Sequence, residues 1–255
     1  MRATLIALVV TVGILLALSL RGGAQTLYDL PPATSLTSGP VVAELFTSQS
    51  CSSCPPAEKL FAELANRPDL IVLEWHVDYW DKLIHGRAGS WKDPFSDAAH
   101  TARQRRYNRT LRRSGQVYTP QAVINGTGET VGSRRSDVER LLKSEQHAQA
   151  PIEIAPEAGQ LAVEIGQLAI KSELNAEIYR LTLLPEQRTA VRSGENRGVR
   201  LFSRNIVLAA EAVGTYSGDA QTLTIDAPKA GETCAVIVQE TVRNRLGPIV
   251  GASYC

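Results

Sequence analysis

Val41-Val42-Ala43-Glu44-Leu45-Phe46-Thr47-Ser48-Gln49-Ser50-Cys51-Ser52-Ser53-Cys54-Pro55-Pro56-Ala57 is the stretch whose reading decides the fold. Its first six residues are apolar and partly β-branched apart from one acid, the composition of a buried strand. A polar turn over 47–53 carries the chain through two cysteines to Pro55-Pro56. Leu60, Phe61 and Leu64 then fall at helical spacing, and Asn66, with Pro68 two residues on, ends the helix. Residues 70–76 are again strand-like. Two strands joined through one helix make a right-handed unit with parallel strands.

Downstream, residues 79–115 are polar, aromatic and arginine-rich, with helical portions. Strand character returns over 117–124, Asn125-Gly126 is a hairpin turn signal, and 129–132 fits the return strand. Residues 134–147 read as a closing helix with Val138, Leu141 and Leu142 on its apolar side. The predicted order is β-α-β, a helical insertion, then β-β-α, which is an α/β thioredoxin-like domain over 40–150. After Pro151 the texture changes to short runs, several alternating with period two, at 152–154, 161–165, 176–184, 206–213, 221–225 and 235–239. Turns such as Ser193-Gly194-Glu195-Asn196-Arg197-Gly198 separate them. That pattern predicts a small antiparallel β-sandwich module over 151–255.

Upstream, Arg2 precedes an apolar run over 3–20, followed by Gly22-Gly23-Ala24. A charged start, an apolar stretch and small residues make residues 1–24 a secretion signal, or an N-terminal anchor where it stays uncleaved. Either way the rest of the chain is expected outside the cytoplasm, periplasmic or secreted. Residues 25–39, rich in Pro, Ser and Thr, form a linker. Without the leader, 25 basic side chains face 26 acidic ones. That near-neutral balance gives no global attraction for nucleic acid and leaves membrane attachment to an uncleaved leader.

Four cysteines in an exported chain meet an oxidising compartment. The simplest pairing is Cys51 with Cys54, and Cys234 with Cys255 as a long-range structural disulfide. A Cys-x-x-Cys between strand and helix points to thiol–disulfide exchange. The helix N-terminus, with its unpaired amides and positive dipole end, favours a thiolate on Cys51. The spacing lets Cys54 close a disulfide after attack. Cys51 is then the nucleophile and Cys54 the resolving cysteine, with no cofactor or metal required. Other readings of the pair stand beside this one. It fits an inert structural disulfide, half of a zinc site lacking its second pair of ligands, or a copper(I) site completed by a histidine. Thr119-Pro120 precedes the hairpin where thioredoxin-like domains carry a cis-proline facing the cysteines. There the Thr119 backbone would pair with an extended partner segment. Glu44 has two readings, a buried acid that takes a proton from the resolving thiol or an acid paired with an arginine.

These residues resemble, together with others, one bacterial secreted family, catalogued as domain of unknown function 1223. The others are His76-Val77-Asp78-Tyr79-Trp80-Asp81, Trp91-Lys92-Asp93-Pro94-Phe95, Arg103-Gln104-Arg105, Tyr107 and Tyr118-Thr119-Pro120-Gln121-Ala122-Val123. The resemblance runs over residues 40–255, including the Ser193-Gly194-Glu195-Asn196-Arg197-Gly198 stretch and the Gln239 strand, and implies a thioredoxin-like fold and export, with no established substrate. Cys234 and Cys255 are not matched to that family's pattern. His76, Asp78 and Trp80 close the second parallel strand, at the end where such folds assemble sites. With Trp91 they are candidates for lining the cysteine pocket; the plainer reading makes them core residues with satisfied polar tips. Arg103, Arg105, Arg106, Arg109, Arg112 and Arg113 read as a solvated basic face, or as a site for an anionic envelope polymer or lipid headgroup. The favoured function is exchange with exported protein thiols or disulfides. Its rivals are a non-catalytic envelope binding module braced by Cys51–Cys54, and a copper-delivery protein.

Overall fold

The computed structural model describes residues 39–83, 89–168, 174–243 and 245–255. The leader at 1–24 and the linker up to residue 38 lie outside the described residues. The first strand, β1 (Val41–Thr47), runs into helix α1 (Pro55–Leu64) and returns as β2 (Leu70–His76). Helix α2 (Ala98–Leu111), strands β3 (Gln121–Ile124) and β4 (Gly128–Val131) and helix α3 (Arg135–Ser144) follow. The remainder is all strand: β5 (Ile152–Glu157), β6 (Gln160–Ile165), β7 (Ala176–Ala190), β8 (Arg200–Tyr216), β9 (Gln221–Asp226), β10 (Thr233–Val242) and β11 (Arg245–Tyr254).

β1 and β2 pair in parallel from Val41↔Leu70 to Thr47↔His76, and β3 pairs antiparallel with β1 on its other side. Side chains along β1 alternate between two cores. Val41, Ala43 and Leu45 meet Ala57, Leu60, Phe61 and Leu64 of α1 and Val138 and Leu142 of α3. Val42 and Phe46 face the other way, among Trp75, Tyr107 and the apolar residues of β7, β10 and β11. Both faces of β1 are covered, which is why its sequence is a nearly unbroken apolar run. α1 begins on its two prolines and ends where Asn66 turns its side-chain amide onto the carbonyls of Ala62 and Glu63.

The Asn125-Gly126 turn has φ of +46° and +74°, as a tight hairpin between β3 and β4 requires. The pair also stitches the fold. Asn125 Oδ1 accepts from Val42 N at 2.7 Å, and its Nδ2 donates to Glu145 O at 2.8 Å. A Cβ on Gly126 would stand 2.3 Å from Gly247 O, so no larger residue fits there.

The sheet does not stop at residue 150. Its order is β11-β10-β7-β8-β2-β1-β3-β4, with β8 joined to β2 in parallel at Glu74↔Ile206. The described residues from 39 to 255 fall in one compact unit, and the predicted boundary at 150/151 lies inside it. The physical reason is strand length. The runs at 176–184 and 206–213 belong to strands of 15 and 17 residues, long enough to pair with each other and still reach β2. Pro185 lies beyond Leu183↔Thr233, where β10 stops pairing with β7, so its missing N–H leaves that ladder intact. A second sheet, β5-β6-β9, closes a third core with Leu161, Val163, Ile165 and Ile225 against Ile178, Val236 and Val238. Cys234 and Cys255 form a disulfide across the ends of β10 and β11, where Cys255 N also donates to Cys234 O.

Candidate active site around the cysteine pair

Where β1 ends the chain turns at once. Cys51 N donates to Ser48 O at 3.0 Å and Cys54 N to Cys51 O at 3.1 Å. Cys54 is the N-cap of α1, with Pro55 and Pro56 in its first positions. The two cysteines are disulfide-bonded, their Cα atoms 5.4 Å apart. Both are wholly buried, while Ser52 and Ser53 between them are exposed. Ser53 Oγ lies 3.3 Å from Cys51 Sγ, placed to donate to a thiolate there. The Thr119–Pro120 peptide is cis. Its loop packs close to α1, since a Cβ on Gly132 would meet Ala57 Cβ at 3.4 Å and Pro120 Cβ at 3.5 Å.

The helix start offers a thiolate less than its position suggests. Pro55 and Pro56 carry no N–H, the amides of Ala57 and Glu58 donate to Cys54 O, and Ser52 N donates to Glu195 Oε2 at 3.0 Å. The dipole remains, but carboxylates gather around it.

Glu58 lies one turn along α1 from Cys54 and is only 1% exposed. Thr47 Oγ1 donates to its Oε1 at 2.8 Å, and its Oε2 has no hydrogen-bond partner among the described residues. Beneath it on β2 lie Glu74 and His76, both fully buried. His76 Nδ1 bonds Asp93 Oδ2 at 2.7 Å, and His76 Nε2 stands 3.8 Å from Glu74 Oε2. Burial, then the neighbouring Glu74, push the Glu58 carboxyl up to about 8, against His76 and the Thr47 hydroxyl. Burial also raises Glu74. Burial alone would lower His76, but Asp93 and Glu74 carry it up to about 10, which makes it an imidazolium at neutral pH. Burial alone would likewise raise Asp93, and the His76 charge holds it below the usual carboxylate range.

These shifts set the pH dependence of stability. Between pH 4.5 and about 8, Glu58 is protonated in the folded chain and ionised in the unfolded one, so stability falls as pH rises through that window. His76 adds a contribution that is complete below 6.5 and lost as pH rises toward 10, with the same sign. Glu58→Gln keeps the oxygen that accepts from Thr47 and removes the titration. Urea unfolding from pH 5 to 7.5 should then show a stability slope shallower than wild type by roughly 1 kcal/mol per pH unit. An unchanged slope would mean that Glu58 does not titrate there.

The other predicted residues divide. Glu44 lies on the face of β1 opposite α1 and is not brought to the cysteines. Its Oε1 accepts from Arg103 Nε at 2.7 Å, and its Oε2 from the Tyr107 hydroxyl. This is the arginine-paired reading of Glu44. Asp78 accepts from Thr101 Oγ1 at 2.6 Å near the start of α2, away from the cysteine turn. Trp80 Nε1 donates to Thr119 Oγ1 at 2.7 Å, at the Pro120 loop. Trp91 Nε1 donates to Gln49 Oε1 at 3.2 Å, and its carbonyl accepts from Ser50 Oγ at 2.6 Å. Within the arginine run, Arg103 is buried, while Arg105, Arg109, Arg112 and Arg113 are exposed. Among the described residues no group of three or more His, Cys, Asp or Glu side chains is arranged to hold a metal ion.

Glu58 was not found from sequence, nor was the partner from the far half of the chain. The tip of the β7–β8 hairpin reaches the cysteine turn, where Asn196 Nδ2 donates to Gln49 O and Cys51 O, each at 2.9 Å. The Gly-rich composition of 193–198 signalled a turn, and only its density of polar side chains hinted at more.

Fold and site together define a mixed α/β protein, built on one large sheet with few helices, that carries a disulfide-bonded Cys-x-x-Cys at a strand–helix junction. The chain belongs to the family described as protein of unknown function DUF1223, whose model matches residues 42–239. It is similar to the crystal structure of protein AGR_C_4864 from Agrobacterium tumefaciens, 28% identical with a TM-score of 0.70, over 85% of this chain and 94% of that one. HBP35 of Porphyromonas gingivalis shares the fold at 13% identity and a TM-score of 0.54, over 86% of this chain and 75% of that one. No curated protein matches. Among the described residues no helix is long and apolar enough to cross a membrane.

Proposed function

We propose that this protein is a thioredoxin-like thiol–disulfide oxidoreductase acting outside the cytoplasm on protein partners. The observation that carries the reading is the Cys51–Cys54 disulfide seated between β1 and α1, with Gly132 close to both Ala57 of that helix and Pro120. Strands in the order β2-β1-β3-β4, with α1 and α3 packed on one face, are the expected frame for such a site. Two disulfides in one chain fit an oxidising compartment.

In the reduced protein, the Cys51 thiolate attacks one sulfur of a partner disulfide, and the partner's other sulfur leaves as a thiolate. Cys54 loses its proton and attacks Cys51 Sγ, which frees the second partner sulfur and closes Cys51–Cys54. Two electrons pass from the pair to the partner, and the reverse sequence oxidises a partner dithiol. Glu58, protonated in the folded chain at neutral pH, can take the Cys54 proton only in its ionised form, whose share grows as pH rises toward about 8. It is buried one turn away with a carboxyl held near neutral, and it lines a cavity of about 450 Å³ together with Lys59, Val199 and Phe202.

A reduction potential measured by glutathione titration with mass-resolved thiol trapping tests the reading. Scarce amide donors and the Glu195 carboxylate on Ser52 N disfavour the reduced thiolate, so the expected value lies at the reducing end of working oxidoreductases, about −270 mV. The full burial of both sulfurs favours one rival, a binding module in which this bond only braces the turn. A potential below about −300 mV would establish that rival in place of exchange.

A further inference from the structure

We propose that the tip of the β7–β8 hairpin, residues 193–198, is a cap over the Cys51–Cys54 disulfide that selects by size what reaches the sulfurs. The purpose of the cap rests on the exchange reading, whereas its existence is tested independently.

The cap is built from several directed contacts. Asn196, 4% exposed, spends both amide hydrogens on the carbonyls of Gln49 and Cys51. Glu195 accepts from Ser52 N on the other side of Cys51. Ser193 Oγ donates to Ser90 O at 2.7 Å, and a Cβ on Gly194 would stand 3.0 Å from Trp91 Cβ. The φ of +75° at Gly194 independently calls for glycine. Lower on the ribbon, Thr189 Oγ1 accepts from Gln49 Nε2 at 3.1 Å.

Two features make this a cap rather than ordinary packing. The tip closes its own turn, through Val191 N to Val199 O and Gly198 N to Val191 O, so it can lift as a unit without losing its internal bonds. Its Asn196 and Glu195 bonds to the cysteine turn all end on backbone atoms of residues 49–52. Those are the groups that an extended partner segment would use in main-chain pairing. The cap therefore occupies hydrogen-bonding positions that a protein partner would take over. Meanwhile Cys51 has no exposed surface although Ser52 and Ser53 beside it do. On this proposal a nucleophile reaches the Cys51 sulfur only once the tip has moved.

The test compares the full oxidised chain with a Glu195→Ala/Asn196→Ala variant. Reduction by dithiothreitol and by glutathione is followed by mass-resolved trapping, with Cys234–Cys255 as an internal reference. Each of the three lost bonds shifts opening by roughly two- to fivefold. Cys51–Cys54 should then be reduced on the order of 10- to 100-fold faster in the variant, more so with glutathione, at an unchanged Cys234–Cys255 rate. Equal Cys51–Cys54 rates in variant and wild type, or equal acceleration at both bonds, would overturn the cap. Should the variant not fold, the wild-type chain in sub-denaturing urea decides. A Cys51–Cys54 rate nearly flat in urea supports local lifting, and one that tracks global unfolding overturns it. A potential below about −300 mV would end the exchange reading and leave these rate comparisons untouched.

Discussion

Cys51→Ser is expected to reduce exchange with a protein disulfide to the uncatalysed background, while Cys54→Ser keeps the first half of the reaction and stalls. The asymmetry follows from position. Cys51 ends the turn after β1 with a hydroxyl 3.3 Å from its sulfur, whereas Cys54 is locked into the helix as its N-cap. A serine at 51 supplies no thiolate, so no mixed disulfide forms. With serine at 54, the mixed disulfide forms and nothing resolves it, so partner remains attached one to one. Non-reducing gels and intact mass on both variants, incubated with a disulfide-bonded reporter, distinguish the two. Exchange retained by Cys51→Ser, or an equal yield of trapped partner from both variants, would reverse or abolish the assignment of roles.

The second large effect is on stability and comes from Arg103. Its guanidinium is buried over Trp75, 4.7 Å from the ring centre, and bonds Glu44 of β1, Tyr107 of α2 and Gln239 of β10. Gln239 passes the link on to Gly247 O of β11. Burial would lower the Arg103 pKa, but the Glu44 carboxylate holds it above its ordinary value. Arg103→Ala leaves Glu44 buried without its counter-charge and should cost about 3–5 kcal/mol. For a chain of this size that lowers Tm by roughly 10 °C. Arg103→Met combined with Glu44→Gln removes both charges and keeps the volume, and should recover most of that loss. Differential scanning calorimetry on the single and double variants measures both; a loss under about 1 kcal/mol for Arg103→Ala would show that Glu44 finds another partner.

What could be read from sequence was what is local. The strand, turn, Cys-x-x-Cys and helix sit within the twenty-four consecutive residues 41–64, and period, proline and cysteine spacing each report on that scale. Asn125-Gly126 was legible for the same reason. Glu44 was ambiguous because its partner lies 59 positions away in a run of arginines whose other members mostly face solvent. Glu58 looked like any polar helix position, since the groups around its carboxyl, Thr47, Glu74 and His76, come from β1 and β2 rather than from α1. The last strand, β11, was missed because Gly247, Pro248 and Gly251 interrupt its apolar pattern. A Cβ on Gly251 would stand 3.2 Å from Ala150 O, a tight approach of packing that no periodicity carries.

The parallel junction of β2 with β8 also sets a schedule. Glu74 pairs with Ile206, 132 positions further on. A chain that emerges N-terminus first, from a ribosome or through a membrane pore, presents β2 long before its outer neighbour exists. At 5–20 residues per second, synthesis alone leaves that edge open for roughly 7–26 s. An unpaired strand edge invites pairing with another chain. The interval in which this protein most needs a chaperone therefore begins when residue 76 is exposed and ends with the arrival of β8.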